Sequence, residues 1–324
     1  MIKIITLKKF IKRAATISLL MSIPFISGCG KEDPAAESAA VIEEVMAAEK
    51  GSRDNTPECL IPEATGTTVY ENETTVMDAS NIGEGYFIIQ YIGSNAKVKL
   101  QVTDPAQVVT TYSLAVDGGK QEVFPLSGGD GTYLITVYEN ITGKQYAVAF
   151  TQEIDVTLNE SHLPFLYPNQ YVEFESTDET IAIAEKLAYP ANTDLDVVSN
   201  VFNYCIANIE YDYEEAETVQ SGYIPDIDEV ISTGKGICLD YAAVMTSMLR
   251  SQKIPTRMEV GYAGTAYHAW ISTYIEDIGW VNGIVEFDGT EWKLMDPTFA
   301  RNATESSLKE FIGDGSNYTM KFKY

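Results

Sequence analysis

Imidazole is scarce in this 324-residue chain: His162 and His268 are its two histidines, beside four cysteines and three tryptophans. No run spaces histidine and cysteine as metal ligands, so the sequence calls for no metal and no cofactor. Positive charge is also short. The 22 lysines and arginines face 47 aspartates and glutamates, a formal charge of −25, and a surface of that sign repels phosphate backbones, which excludes nucleic acid as a partner. The N-terminal apolar run, Ala14 to Ile26, is too short to cross a membrane as a helix.

That run follows Lys3, Lys8, Lys9, Lys12 and Arg13 with no acid among them, the order of a secretory signal. Ile26-Ser27-Gly28-Cys29 resembles a bacterial lipobox. The resemblance implies cleavage before Cys29 and a diacyl anchor on it. Residues 1–28 are thus expected to be a lipoprotein signal, with the rest held at the outer side of the cell membrane. Removing them takes five of the 22 bases and none of the 47 acids, leaving −30. Such acidity suits an exported ectodomain or one that accepts basic substrates. Residues 29–58, rich in Ala, Glu, Ser and Asp, offer little apolar surface to offset ordering entropy and are expected to be a flexible tether.

From 59 to 155 the hydrophobic period becomes two, in runs such as Tyr86 to Ile92, Lys97 to Thr103 and Thr132 to Glu139. Turn sequences separate them, among them Gly128-Gly129-Asp130-Gly131 and Thr142-Gly143-Lys144. About seven strands in this space suggest an all-β immunoglobulin-like sandwich. It contains no cluster of catalytic residue types, so it is read as a packing domain or a module that presents substrate. Residues 156–179, with Leu163-Pro164-Phe165-Leu166-Tyr167-Pro168, form an extended connector, and His162 within it is assigned a surface or structural role.

Beyond residue 180 the period turns helical over Thr180 to Ala188 and Leu195 to Ile209, where Cys205 falls on the apolar stripe and is a core residue. Asp226 and Glu229 have the spacing of a helix N-terminal cap, and Gly234 should end that helix. The chain then presents Gly234-Lys235-Gly236-Ile237-Cys238-Leu239-Asp240-Tyr241, which delivers Cys238 to the start of an apolar helix. Unpaired amides and the dipole at a helix N-terminus favour a thiolate, so its pKa is expected to be lowered. His268, in the strand-like run Tyr267 to Ile275, can serve as base. Asp296, ahead of Pro297, can fix the imidazole tautomer. Trp270, Tyr267, Trp280 and Trp292 are candidates to wall a substrate groove, with core packing as the alternative. An oxyanion hole would take one donor from the Cys238 amide and a second from Tyr211 or Tyr223.

Gly-Lys-Gly-Ile-Cys238-Leu-Asp-Tyr-Ala, the segment Arg250 to Pro255, Tyr-His268-Ala-Trp and Trp-x-x-x-Asp296-Pro-Thr together resemble the bacterial transglutaminase-like superfamily. The resemblance covers roughly residues 180 to 300. It implies an α+β papain-like domain over 180–324 with a Cys238, His268, Asp296 triad and a protein or peptide substrate, cell-wall-associated peptides among them. Hydrolysis by a peptidase or amidase and amine transfer by a crosslinking enzyme both remain open. So does a non-catalytic surface protein that uses the same fold to bind.

Overall fold

The computed structural model describes residues 45, 47–116, 118–263, 266–276, 278–287, 292–294 and 318–324. Eight strands come first: β1 Val69–Glu71, β2 Thr75–Asp78, β3 Tyr86–Tyr91, β4 Val98–Thr103, β5 Val109–Leu114, β6 Gln121–Pro125, β7 Gly131–Thr142 and β8 Gln145–Val156. They form two antiparallel sheets, β1-β2-β3-β6 and β5-β4-β7-β8. Strand β4 shows the reason, since Val98, Leu100 and Val102 are buried while the residues between them are not. Across the two layers Tyr112 of β5 meets Phe124 of β6 edge-on, 4.8 Å between ring centres, and Phe87, Ile89, Leu100, Ile135 and Val137 have no exposed surface. Five of these strands were visible as period-two runs. The short β1 and β2, and β6 with its terminal Pro125, lack a long enough alternation to show it.

Residues 51–58, expected in the tether, lie against the helices. The Gly51 amide donates to Tyr189 O at 2.9 Å and that of Glu58 to Ser251 O at 2.7 Å, while Arg53 pairs with Asp194 at 2.6 Å. A Cβ on Gly51 would stand 2.0 Å from Ala191 O, so this close approach requires glycine.

The helical layer comprises α1 Glu179–Ala188, α2 Asp194–Asn208, a two-residue strand β9 Glu210–Tyr211, α3 Tyr213–Thr218 and α4 Ile227–Thr233. Another two-residue strand, β10 Lys235–Gly236, leads to α5 Cys238–Ser251. Helix α3 is short and acid-rich, and Asp212 caps it by accepting the Glu215 amide at 2.9 Å. Thr193 and Asp196 form a reciprocal capping box on α2, a device worth about 1 kcal/mol. Asp226 caps α4 through the Glu229 amide, and Gly234 ends that helix with φ of 62°, both as the sequence suggested.

The final sheet has the order β14-β13-β12-β11-β15, with β11 Thr256–Ala263, β12 Ala266–Ile275, β13 Gly279–Phe287, β14 Trp292–Leu294 and β15 Tyr318–Lys323. Helix α5 packs on α1 and α2 as well as on β11 and β12. Being covered on several sides explains its apolar circumference: Ala242, Ala243, Val244, Met248 and Leu249 are wholly buried. Arg250 is buried among them. Its guanidinium donates to the carbonyls of Tyr167, Thr256 and Tyr324, tying the connector and β15 to α5, and burial pushes its pKa down to about 9. All described residues belong to one unit, Asp33–Tyr324.

Candidate active site

Two short elements place Cys238. Strand β9 pairs in parallel with β10, setting Tyr211 opposite Gly236, and the Asp212 amide donates to Gly236 O at 3.0 Å. Cys238 follows as the first residue of α5, where backbone amides have no partner within the helix. Asp240 in the same turn reaches back and accepts the Ile237 amide at 2.8 Å. Gly236 makes room for this, because a Cβ there would stand 2.8 Å from the Asp240 Cβ.

The sheet supplies the other side. Strand β12 pairs with β11 so that His268 lies opposite Gly261 and Trp270 opposite Glu259. Ala269 and Ile271 join the core that contains α5, and His268, Trp270 and Ser272 alternate with them along the strand. The chain thus brings the sulfur of Cys238 to the peptide that joins His268 to Ala269. The thiolate receives hydrogen bonds from the Ala269 amide, the Tyr211 hydroxyl and the Leu239 amide.

Burial nevertheless outweighs these donors and pushes the Cys238 thiol up, with the Asp240 charge adding to the rise. The expected lowering at the helix N-terminus is therefore corrected: the amides do act in that direction, and desolvation of a largely enclosed sulfur is larger. Burial likewise pushes His268 below its ordinary value. Both shifts act toward the neutral forms, a thiol on Cys238 and an uncharged imidazole on His268.

Of the two oxyanion candidates, Tyr211 stands at the sulfur and Tyr223 does not. The Tyr223 hydroxyl donates to Asp240 Oδ1 at 2.8 Å, so it is committed to positioning the first turn of α5. Burial pushes Tyr211 up to about 12, with the nearby Cys238 contributing next, so its hydroxyl keeps its proton. Trp270 is corrected as a groove candidate: it is buried, and its Nε1 donates to Glu259 Oε2 at 2.7 Å, beside Ser272 Oγ on the same oxygen. Trp280 carries the Arg257 guanidinium 3.5 Å from its ring centre. Tyr267 is 53% exposed, packed edge-on against Tyr262 at 5.3 Å and close enough to sense the Cys238 charge.

His162 stacks on Tyr274 at 5.0 Å and sits 3.3 Å from Glu160, the structural role assigned to it. Cys59 and Cys205 are free thiols, and Cys205 is fully buried. Cys29, Asp296 and the Trp292 side chain lie outside the described residues. Sequence reasoning gave Asp240 no role, although its position two residues after Cys238 is the third turn position from which an acid can reach back over a helix start.

Comparison with known proteins places the same segment. Residues 181–283 match the family described as the transglutaminase-like superfamily. A UPF0252 protein of Methanocaldococcus jannaschii is 24% identical over 230 residues, 64% of this chain and 65% of that protein. The uncharacterized protein YebA of Bacillus subtilis is 24% identical over 235 residues, 64% of this chain and 30% of that one. The chain therefore spans less than two thirds of either relative's length. Among solved structures, a candidate cysteine protease from Cytophaga hutchinsonii aligns at 16% identity over 79% of this chain and 84% of that one, with a TM-score of 0.36. Red sea bream transglutaminase aligns at 13% identity over 66% and 48%, with a TM-score of 0.22. The motifs around Cys238 and His268 fall inside the matched segment, and over residues 181–283 the chain is similar to the transglutaminase-like superfamily.

Proposed function

We propose that the chain is a cysteine hydrolase or acyltransferase acting on peptide or carboxamide carbonyls through Cys238. The observation that carries this is the Cys238 sulfur at the first turn of α5, served by the Ala269 amide next to His268 and by the Tyr211 hydroxyl. From the neutral pair, His268 takes the thiol proton as sulfur attacks the carbonyl carbon, and returns it to the departing amine when the C–N bond breaks. The thioester left on Cys238 is resolved by water in a peptidase or amidase, or by an amine in a crosslinking enzyme. Hydrolysis is the favoured branch. The Cys238 amide and the Tyr211 hydroxyl are the oxyanion donors in this scheme, and Asp296, from its sequence motif, orients His268.

The remaining assignments rest on sequence. We propose export as a lipoprotein anchored through Cys29, facing away from the cytoplasm, with substrates that include cell-wall-associated peptides. The sandwich is proposed to be immunoglobulin-like, supported by a chain path in which β3 and β4 lie in different sheets and pair with β6 and β7. A non-catalytic binding protein is the second reading, and the burial that holds the Cys238 thiol in its neutral form favours it.

Acylation separates the two. With p-nitrophenyl acetate, the enzyme reading expects a burst of about one equivalent of nitrophenol and one acetyl group mapped to Cys238 by mass spectrometry, both absent in Cys238→Ala. No adduct at Cys238 in the intact protein would favour the binder.

A further inference from the structure

Two pairs of tyrosines reach Cys238 from different elements. The first comes from β9 and α3: Tyr211, whose hydroxyl meets the sulfur, packs against Tyr213 with 4.9 Å between ring centres. The second is Tyr262 and Tyr267, which stand opposite each other across β11 and β12. Side chains alternate along a strand, so these two share the sheet face of Val260 and Ala269, which join the core with α5. Tyr267 lies two residues before the Ala269 amide that bonds the sulfur. Neither pair is sunk in the core, since Tyr213 is 66% exposed and Tyr262 41%.

Charge distinguishes the two pairs. Glu217 follows Tyr213 at the i, i+4 spacing that puts two side chains on one helix face, and it is exposed. Among the described residues no cation pairs with it, and α3 has no basic residue. Glu210 counts for less, because Lys235 stands opposite it across β9 and β10.

We infer that these tyrosines wall the groove leading to Cys238, and that Tyr211 and Tyr213, with Glu217, receive a lysine or arginine side chain next to the reacting carbonyl. An aromatic face attracts a cation and also packs the aliphatic stem that carries it. The carboxylate one turn along supplies the counter-charge. A neutral aromatic group or a sugar would use the ring faces but gain nothing from Glu217, and an acidic side chain would be repelled by it. Tyr262 and Tyr267, beside Val260 and Ala269, contact the uncharged part of the substrate. The inference rests on the peptide-processing reading and names the side chain its substrate presents.

Thiol reagents of different charge test this without turnover. In the full chain, modification of Cys238 by 2-aminoethyl, 2-hydroxyethyl and 2-sulfonatoethyl methanethiosulfonate is timed by peptide-resolved mass spectrometry, each rate divided by that of free 2-mercaptoethanol. The ammonium reagent should react about tenfold faster than the hydroxyl reagent, and the sulfonate more slowly than either. Glu217→Lys should lower the ammonium-to-hydroxyl ratio about tenfold and Tyr213→Ala about threefold. Glu71→Lys, the same change in net charge on β1 of the sandwich, should leave that ratio within about twofold. Equal rates for the ammonium and hydroxyl reagents, a preference that Glu217→Lys and Glu71→Lys alter alike, or no modification of Cys238 by any reagent would overturn the inference. With catalysis included, the p-nitrophenyl esters of Nα-acetyl-lysine and Nα-acetyl-norleucine, which share a stem and differ in charge, should differ about tenfold in kcat/KM in favour of lysine. Charge preference with the reagents but acylation by neither ester would count against the chemistry and leave the binding site standing. Acylation by both esters at one rate would leave the chemistry standing and remove the site.

Discussion

Tyr211 and Asp240 act on Cys238 in opposite directions, and each can be removed by one atom or one charge. The Tyr211 hydroxyl stabilises the thiolate and is the proposed second oxyanion donor. Tyr211→Phe should therefore raise the pH at which Cys238 alkylates and lower acylation kcat about 10²–10³-fold; a change within a few-fold would remove Tyr211 from the machinery. Asp240 has no exposed surface, and burial pushes its carboxyl up to about 6. Its unfolded value is near 3.9, so the folded state binds the extra proton between about pH 4 and pH 6. The stability Asp240 contributes is fully present below that window and is lost as pH rises through it. The difference in Tm between wild type and Asp240→Asn should accordingly fall from pH 4 to pH 6 and then level off. A difference that is constant, or grows with pH, would mean that the carboxylate is better solvated than its burial implies.

At the scale of elements, the site depends on a turn so tight that side chains barely fit. Gly236 pairs with Tyr211 across β9 and β10 and lies under Asp240, so Gly236→Ala must displace either the strand pair or the first turn of α5. A loss of about 1–3 kcal/mol is expected, visible as a Tm lowered by several degrees, together with slower Cys238 acylation; unchanged Tm would show that the turn has slack. Much of this element was legible. Gly234 as a helix stop, Asp226 as a cap and Cys238 at a helix start follow from residue types whose local chemistry leaves few choices. Tyr223 was not legible, because a tyrosine in an acid-rich loop carries no sign of whether its hydroxyl meets a thiolate or a carboxylate. Trp270 failed for a similar reason: its partner Glu259 is eleven residues away and becomes adjacent only through strand pairing. The pKa of Cys238 escaped local reasoning as well, since the helix terminus is written in the sequence and the enclosure by β12 is not.

The whole molecule joins an eight-stranded sandwich to a helical layer and a five-stranded sheet, and it is this assembly that places Cys238 of α5 against β12. The sandwich was readable as strands from alternation; the packing of residues 51–58 depends on distant contacts that periodicity does not encode. The proposal stands or falls on whether His268 serves Cys238 as a base. The direct measurement is kcat/KM for p-nitrophenyl acetate against pH, in wild type and His268→Ala. With His268 below its ordinary value of about 6.5 and the thiol above its own of about 8.5, wild type should hold a plateau through pH 7 and lose activity only as pH drops below about 6.5. The variant should lose that plateau, its rate climbing with thiolate fraction to above about pH 8.5. If instead both proteins climb together with no plateau in either, Cys238 reacts as an unassisted thiol and the proposed pair does not exist.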